Sequence, residues 1–162
     1  MTDPELEVLA RSCGEALKRR GLVLASAESC TGGWVAAAIT TIAGSSEWFD
    51  RGFVTYSNQA KQDMLGVTPG TLERFGAVSE QTAREMVEGA LAHSRADVAL
   101  AITGIAGPGG GSPAKPVGTV CFAWAIAGQE TRTATRHFAG DRTAVRRQSV
   151  EFALRTLLDV IR

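Results

Sequence analysis

The 162-residue chain has few of the features that mark membrane, nucleic-acid-binding or disulfide-stabilised proteins. Seventeen Lys and Arg residues balance seventeen Asp and Glu residues, so there is no excess of positive charge for binding nucleic acid or a membrane surface. No apolar run approaches the ~20 residues that span a bilayer. The three cysteines, Cys13, Cys30 and Cys121, lack the spacing of a disulfide framework or a zinc site, which favours a reducing compartment.

The N-terminus and the length predict one cytoplasmic domain. Residues 2–5 form a typical helix start, and no apolar segment of a signal peptide follows them. The composition, 44% apolar and 21% charged, is that of an ordinary globular protein. We therefore expect a single domain over residues 1–162, with no internal repeat and no linker.

Two standard groups of motifs are also missing. No G-x-x-x-x-G-K-[ST] motif occurs, and the glycine-rich run at 104–111 does not match G-x-G-x-x-G. These absences disfavour a P-loop and a dinucleotide site. Ser29 is not part of a G-x-S-x-G elbow, so a standard α/β-hydrolase triad is not predicted either.

Short apolar runs alternate with amphipathic segments along the chain. Strands are predicted over about 22–25, 53–57, 98–103, 118–127 and 131–138, and helices over about 4–20, 34–39, 58–65, 72–75 and 79–93 and from residue 141 onward. The last two strands form a hairpin because only a short turn divides them. This order predicts an α/β fold, a three-layer α/β/α sandwich with a mixed, mostly parallel sheet. Ligands of such sheets bind beyond the carboxyl ends of the strands.

The stretch from Ala27 to Gly33 lies where a predicted strand meets a predicted helix. Backbone N–H groups in the first turn of a helix have no partner within it and lie at its positive dipole end. Such a corner suits a phosphate, or the oxyanion that forms when Ser29 attacks a carbonyl. An ordinary Ser or Thr helix cap is the third interpretation, and all three remain open at this point.

Lys61 is the best candidate for a general base. It falls in the first turn of a helix that Asn58 is predicted to cap, and both the helix dipole and partial burial there would lower the pKa of its ammonium. Tyr56, the single tyrosine, ends the preceding strand and is placed to relay a proton or to orient a ligand. A solvated lysine without a catalytic role is the alternative.

Two further features suit a phosphate. The loop at 104–112 offers glycine backbone that a ligand can approach closely, although a flexible surface turn explains it too. Arg142 and Arg146 share one face of the last helix, where they would either bind a phosphate or form a solvated surface.

Several short blocks of sequence, taken in their order along the chain, resemble the C-terminal domain of the CinA family. They are AESCTGG at 27–33, GFVTYSN at 52–58, GAVS at 76–79, GIAGP at 104–108 and KPVGTV at 115–120, which span almost the whole chain. The resemblance implies hydrolysis of the amide of nicotinamide mononucleotide to nicotinic acid mononucleotide and ammonia, in pyridine-nucleotide salvage. It also implies a serine nucleophile, a lysine base, no metal or other cofactor, and a homodimer.

The resemblance assigns the nucleophile to Ser29 and the base to Lys61, with Tyr56 beside them. Ser46, Thr103 and Arg142 match positions that the family is thought to use around the substrate. The corner and the glycine loop add further expected substrate-binding residues: Thr31, Gly32, Gly33, Gly104 and Gly107. Two alternatives stay open, a nucleotide-binding or regulatory module without chemistry, and a cysteine amidase that uses Cys30.

Overall fold

A computed structural model describes residues 3–162. The helices are α1 (Pro4–Arg20), α2 (Trp34–Thr40), α3 (Asn58–Leu65), α4 (Pro69–Phe75), α5 (Glu80–Ala92) and α6 (Arg142–Ile161), with a 3₁₀ turn at Ser45–Glu47. The strands are β1 (Leu24–Glu28), β2 (Phe49–Val54), β3 (Val98–Gly104), β4 (Thr119–Ile126) and β5 (Arg132–His137). Residues 1 and 2 lie outside the described residues. The predicted domain begins at the first of them, and the predicted helix start begins at the second.

The five strands form one mixed sheet in the order β2-β1-β3-β4-β5. β1 lies between β2 and β3 and pairs in parallel with both, whereas β4 pairs antiparallel with β3 and β5. The predicted mixed sheet is therefore confirmed, and so is the β4–β5 hairpin. The prediction that the sheet is mostly parallel is wrong, because parallel pairing is confined to β1, β2 and β3 and makes up only two of the four pairings.

Side chains of different size cover the two faces of the sheet, because successive residues of a strand point to opposite sides. Large residues such as Leu100, Phe122 and Trp124 pack against α6 and belong to one buried cluster with residues of α1 and α2. Small residues such as Ala99 and Ala123 face α5, with Leu65 at the end of α3 in the same cluster. These two cores give the predicted three layers.

Most predicted elements are confirmed, but several of their ends differ and one predicted helix cap is wrong. β1 begins two residues later than expected, at Leu24, whose amide donates to the Trp48 carbonyl, and it continues to Glu28. β2 begins at Phe49, four residues earlier than predicted, and ends at Val54, which leaves Tyr56 in the loop that follows. The prediction that Asn58 caps α3 is wrong, because the Ser57 hydroxyl accepts the hydrogen bond from the Ala60 amide. No helix in residues 3–162 is long and apolar enough to cross a membrane.

Candidate active site

A cavity of about 250 Å³ lies beyond the carboxyl ends of β1, β2 and β3. Its lining residues are Ser29, Cys30, Tyr56, Asn58, Lys61, Ala77, Val78, Thr103, Gly104, Ala106 and Arg142. A wider groove of about 590 Å³ lies between the α4–α5 region and the β4–β5 hairpin, and it contains none of the predicted catalytic residues. The cavity at the strand ends is thus the candidate active site, as expected for an open α/β sheet.

Ser29 and Lys61 meet at the base of this cavity. The amide of Ser29 donates to the Ile102 carbonyl (3.0 Å) and so continues the β1–β3 ladder by one residue. The alternation of the strand turns Glu28 towards α2 and Ser29 towards α3. Lys61 of α3 reaches Ser29 there, with 2.9 Å between Nζ and Oγ.

Three oxygen atoms surround the amine of Lys61. Besides Ser29 Oγ, Nζ donates to the carbonyls of Thr55 (2.9 Å) and Tyr56 (3.4 Å). The side chain is only 1% exposed, and this burial lowers the pKa of Lys61 because it penalises the ammonium form. A lysine with a lowered pKa beside a serine hydroxyl is suited to accept its proton.

The amides at the start of α2 are not free to bind an oxyanion, which contradicts the prediction for this corner. The carboxylate of Glu28 accepts from the amides of Val35 (2.9 Å) and Ala36 (3.1 Å), and from the Thr31 hydroxyl (2.6 Å). The Trp34 amide donates to the Thr31 carbonyl (3.1 Å). Because the chain's own carboxylate occupies the first turn, neither a phosphate nor an oxyanion binds to these groups.

Arg146 binds the other side of the same turn. Its Nε donates to the Cys30 carbonyl (3.0 Å) and its Nη2 to the Thr31 carbonyl (3.2 Å). The guanidinium carbon lies 5.5 Å from the centre of the Trp34 ring. Arg146 does not line the cavity, whereas Arg142 does. The two arginines on this face of α6 therefore have different contacts, Arg146 with the turn and Arg142 with the cavity.

Arg142 lies at the rim of the cavity together with Tyr56. Its Nη1 donates to the Gly107 carbonyl (2.8 Å), and its Nη2 lies 3.1 Å from the Tyr56 hydroxyl. Tyr56 is 63% exposed, and its hydroxyl makes no hydrogen bond to Ser29 or Lys61. The contact between Tyr56 and Lys61 runs through the backbone carbonyl instead.

The other predicted substrate-binding residues divide into two groups. Thr103 and Gly104 line the cavity, and the Thr103 hydroxyl donates to the Ala77 carbonyl (2.9 Å). Packing also favours glycine at position 104, since a Cβ there would lie 2.8 Å from a methyl group of Val120. Gly107 contributes its carbonyl to Arg142.

Thr31, Gly32, Gly33 and Ser46 do not line this cavity. Thr31 is buried against Glu28, and the two glycines form the turn that leads into α2. Ser46 lies before β2, at the amino ends of the parallel strands, whereas Ser29 lies at their carboxyl ends. A five-residue strand separates the two ends by ~16 Å, which is why Ser46 does not contact the site within one chain.

Cys30 lines the cavity but is poorly suited to act as a nucleophile. It is 6% exposed, and burial, with the nearby Glu28 carboxylate as a smaller cause, raises the pKa of its thiol to about 12. A thiol that stays protonated is a weak nucleophile. The geometry therefore favours the Ser29 hydroxyl over Cys30.

Sequence reasoning missed the roles of three residues in this region. Asn58 lines the cavity, because Ser57 rather than Asn58 caps α3 and leaves the Asn58 side chain free of that bond. Glu28 and Arg146 hold the Ser29 turn. Ser57 and Asn58 are adjacent and both are good N-cap residues, so the sequence already allowed Ser57 to be the cap and Asn58 to face the cavity. In the part of the chain that the structure describes, no three His, Cys, Asp or Glu side chains cluster as metal ligands.

The fold and the site define an α/β protein in which a serine and a buried lysine are in contact at the strand ends. Residues 6–161 match the family model of the CinA C-terminal domain, and the chain belongs to that family. The structure of the competence/damage inducible protein CihA from Agrobacterium tumefaciens is similar, with a TM-score of 0.96 and 48% identity over 100% of this chain and 99% of that one. A CinA superfamily protein from Escherichia coli gives a TM-score of 0.93 and 44% identity, over 99% and 93% of the two chains.

Curated relatives identify the type of reaction. The nicotinamide-nucleotide amidohydrolase PncC of Escherichia coli K12 is 60% identical over 157 residues, which are 97% of this chain and 95% of that protein. The protein of the same name from Pseudomonas putida is 51% identical, over 98% of each chain. The chain is accordingly an amidohydrolase.

Proposed function

We propose that this amidohydrolase acts on nicotinamide mononucleotide and releases nicotinic acid mononucleotide and ammonia, in pyridine-nucleotide salvage. The name of the 60% identical relative supports the substrate. The single observation that supports the mechanism is the 2.9 Å contact between Lys61 Nζ and Ser29 Oγ. Ser29 is the nucleophile and Lys61 the general base in this proposal.

The reaction proceeds in two halves. Ser29 Oγ attacks the carboxamide carbon, and neutral Lys61 accepts the hydroxyl proton. Lys61 then returns that proton to the leaving nitrogen, which departs as ammonia and leaves an acyl-enzyme. A water molecule, deprotonated by the same lysine, hydrolyses the ester and restores Ser29. The carbonyls of Thr55 and Tyr56 keep Nζ directed towards Oγ throughout.

The Cys30 amide is the proposed donor to the oxyanion, since the first turn of α2 is occupied by Glu28. Cys30 follows the nucleophile and lines the cavity, and within residues 3–162 its N–H donates no hydrogen bond to another residue. In other serine enzymes the amide after the nucleophile serves in this way. One such donor contributes ~3 kcal/mol to transition-state stabilisation.

Arg142 and the loop that begins at Gly104 bind the 5′-phosphate in this proposal. Two of the Arg142 nitrogens bind Gly107 and Tyr56, which orients the guanidinium at the rim and leaves other N–H groups for the ligand. Binding the phosphate away from the reacting carbon orients the pyridinium ring over Ser29. Tyr56 then acts by orienting Arg142.

Ammonia release from nicotinamide mononucleotide tests the proposal, with free nicotinamide and NAD as comparison substrates. We expect release from the mononucleotide by the wild type and no turnover by Ser29→Ala, which still binds the nucleotide. Near-normal release by Ser29→Ala would contradict the nucleophile. Release from free nicotinamide alone would contradict the substrate, and nucleotide binding without any release would favour a regulatory module.

The homodimer remains a prediction from the resemblance, and the cytoplasmic location remains a prediction from the cysteine pattern and the N-terminal sequence. Light scattering on the eluting peak of a size-exclusion column measures the mass in solution and compares it with twice 17.0 kDa. A mass of one chain would contradict the predicted dimer.

A further inference from the structure

The turn that carries Ser29 contains two glycines and therefore needs external support. Gly32 and Gly33 have φ values of +60° and +100°, in the left-handed region that glycine adopts at little cost. The same freedom lets a glycine turn sample other conformations unless neighbouring groups hold it. Glu28 holds this turn from the α2 side, and Arg146 holds it from α6.

The contacts of Arg146 determine the direction of the Cys30 amide through a short chain of peptide planes. In a trans peptide the C=O and the N–H point in opposite directions. Arg146 Nη2 binds the Thr31 carbonyl and thereby orients the peptide that carries the Gly32 N–H. That N–H donates to the Ser29 carbonyl (3.0 Å), which orients the peptide that carries the Cys30 N–H.

We propose that Arg146 is a positioning residue for amide hydrolysis. It holds the Ser29 turn so that Oγ stays against Lys61 and the Cys30 N–H stays directed at the reacting carbonyl. The guanidinium lies outside the cavity, so Arg146 acts through the turn and not on the substrate. This inference rests on the proposed function, since it explains what holds the reacting groups of that site in position.

The neighbouring Arg147 provides a matched control on the same helix. Its side chain forms ion pairs with Asp3 (2.6 Å), Glu5 (3.0 Å) and Glu151 (3.1 Å), and it contacts no residue of the cavity. Loss of Arg147 therefore affects the stability of the fold alone. Loss of Arg146 affects the turn as well.

The experiment compares Arg146→Ala, Arg146→Lys and Arg147→Ala by ammonia release and thermal unfolding. Misplacing a reacting group costs on the order of 100-fold, so we expect a fall in kcat of ~30- to 100-fold in Arg146→Ala with KM changed less than ~3-fold. Arg146→Lys, which keeps a charge but not the fork of two donors, should be intermediate. Added guanidinium should restore part of the Arg146→Ala rate. Arg147→Ala should keep kcat within ~2-fold despite a lower Tm.

A rise in KM at constant kcat in Arg146→Ala would overturn the proposal, because Arg146 would then bind the substrate. Equal loss of kcat in Arg146→Ala and Arg147→Ala at equal Tm would overturn it as well. Amide hydrogen exchange of the 29–33 segment is measured in parallel and needs no substrate. Faster exchange in Arg146→Ala alone supports the inference even if the wild type released no ammonia from nicotinamide mononucleotide, and unchanged exchange refutes it.

Discussion

Replacement of Lys61 by methionine should alter the pH dependence of stability as well as abolish activity. Lys61 is almost fully buried, and its pKa in the folded protein lies below the ordinary value of 10.5. Between the lowered pKa and 10.5 the unfolded chain binds more protons at this position than the folded chain does. The stability of the wild type therefore rises with pH across that window. Below the lowered pKa the cost of burying the ammonium is fully present, and above 10.5 it vanishes.

The magnitude follows from proton linkage. Within the window the wild type gains up to ~1.4 kcal/mol of unfolding free energy per pH unit relative to Lys61→Met, which has no titrating group there. Every other ionisable group occurs in both proteins and cancels in the difference. Cys30, the nearby thiol, keeps its proton because its pKa is raised to about 12. The variant also leaves the Thr55 carbonyl without its donor, a cost of ~1 kcal/mol that does not change with pH.

Urea unfolding of both proteins at pH 7, 8, 9 and 10 measures this difference. We expect the free energy of unfolding of the wild type minus that of Lys61→Met to increase with pH. The kcat/KM of the wild type should rise over the same range, because the neutral amine is the active form of the base. A stability difference that stays constant from pH 7 to 10 would refute the reasoning, since the pKa of Lys61 would then be the same in both states.

Two further substitutions distinguish roles at the rim and beside the nucleophile. Cys30→Ala keeps the backbone N–H and should retain kcat within ~3-fold in the ammonia assay, since the side chain acts as small core filler; a loss of more than 100-fold would favour a cysteine amidase. Tyr56→Phe removes one hydrogen bond to Arg142, worth ~1 kcal/mol, and should raise KM for nicotinamide mononucleotide ~5-fold with kcat nearly unchanged. A large fall in kcat at constant KM in Tyr56→Phe would instead indicate that the hydroxyl relays a proton.

The sequence alone was sufficient for the order of elements and for several of the residues that meet in the cavity. Apolar alternation and continuous apolar runs depend only on local sequence, so β3, β4 and the β4–β5 hairpin were predicted within one or two residues. Placing Ser29, Tyr56 and Thr103 at or just after the carboxyl ends of predicted strands was enough to bring them together, because parallel strands end at the same edge of a sheet.

The roles of individual groups depended on contacts between distant residues. Local sequence indicated free amides at the start of α2, yet only the folded chain shows that Glu28 occupies them. The family resemblance placed Ser46 around the substrate, but Ser46 precedes β2 and so lies at the opposite edge of the sheet. Arg146 lies more than one hundred residues from the turn that it holds.

What the sequence by itself determined is thus the α/β architecture and the pairing of a serine with a lysine, since both follow from local periodicity and from the shared blocks of the family. Tertiary structure decided which atoms remain available for chemistry. A hydrogen-bond donor is free only when no other part of the chain reaches it, and that depends on the packing of α2 and α6 around the Ser29 turn.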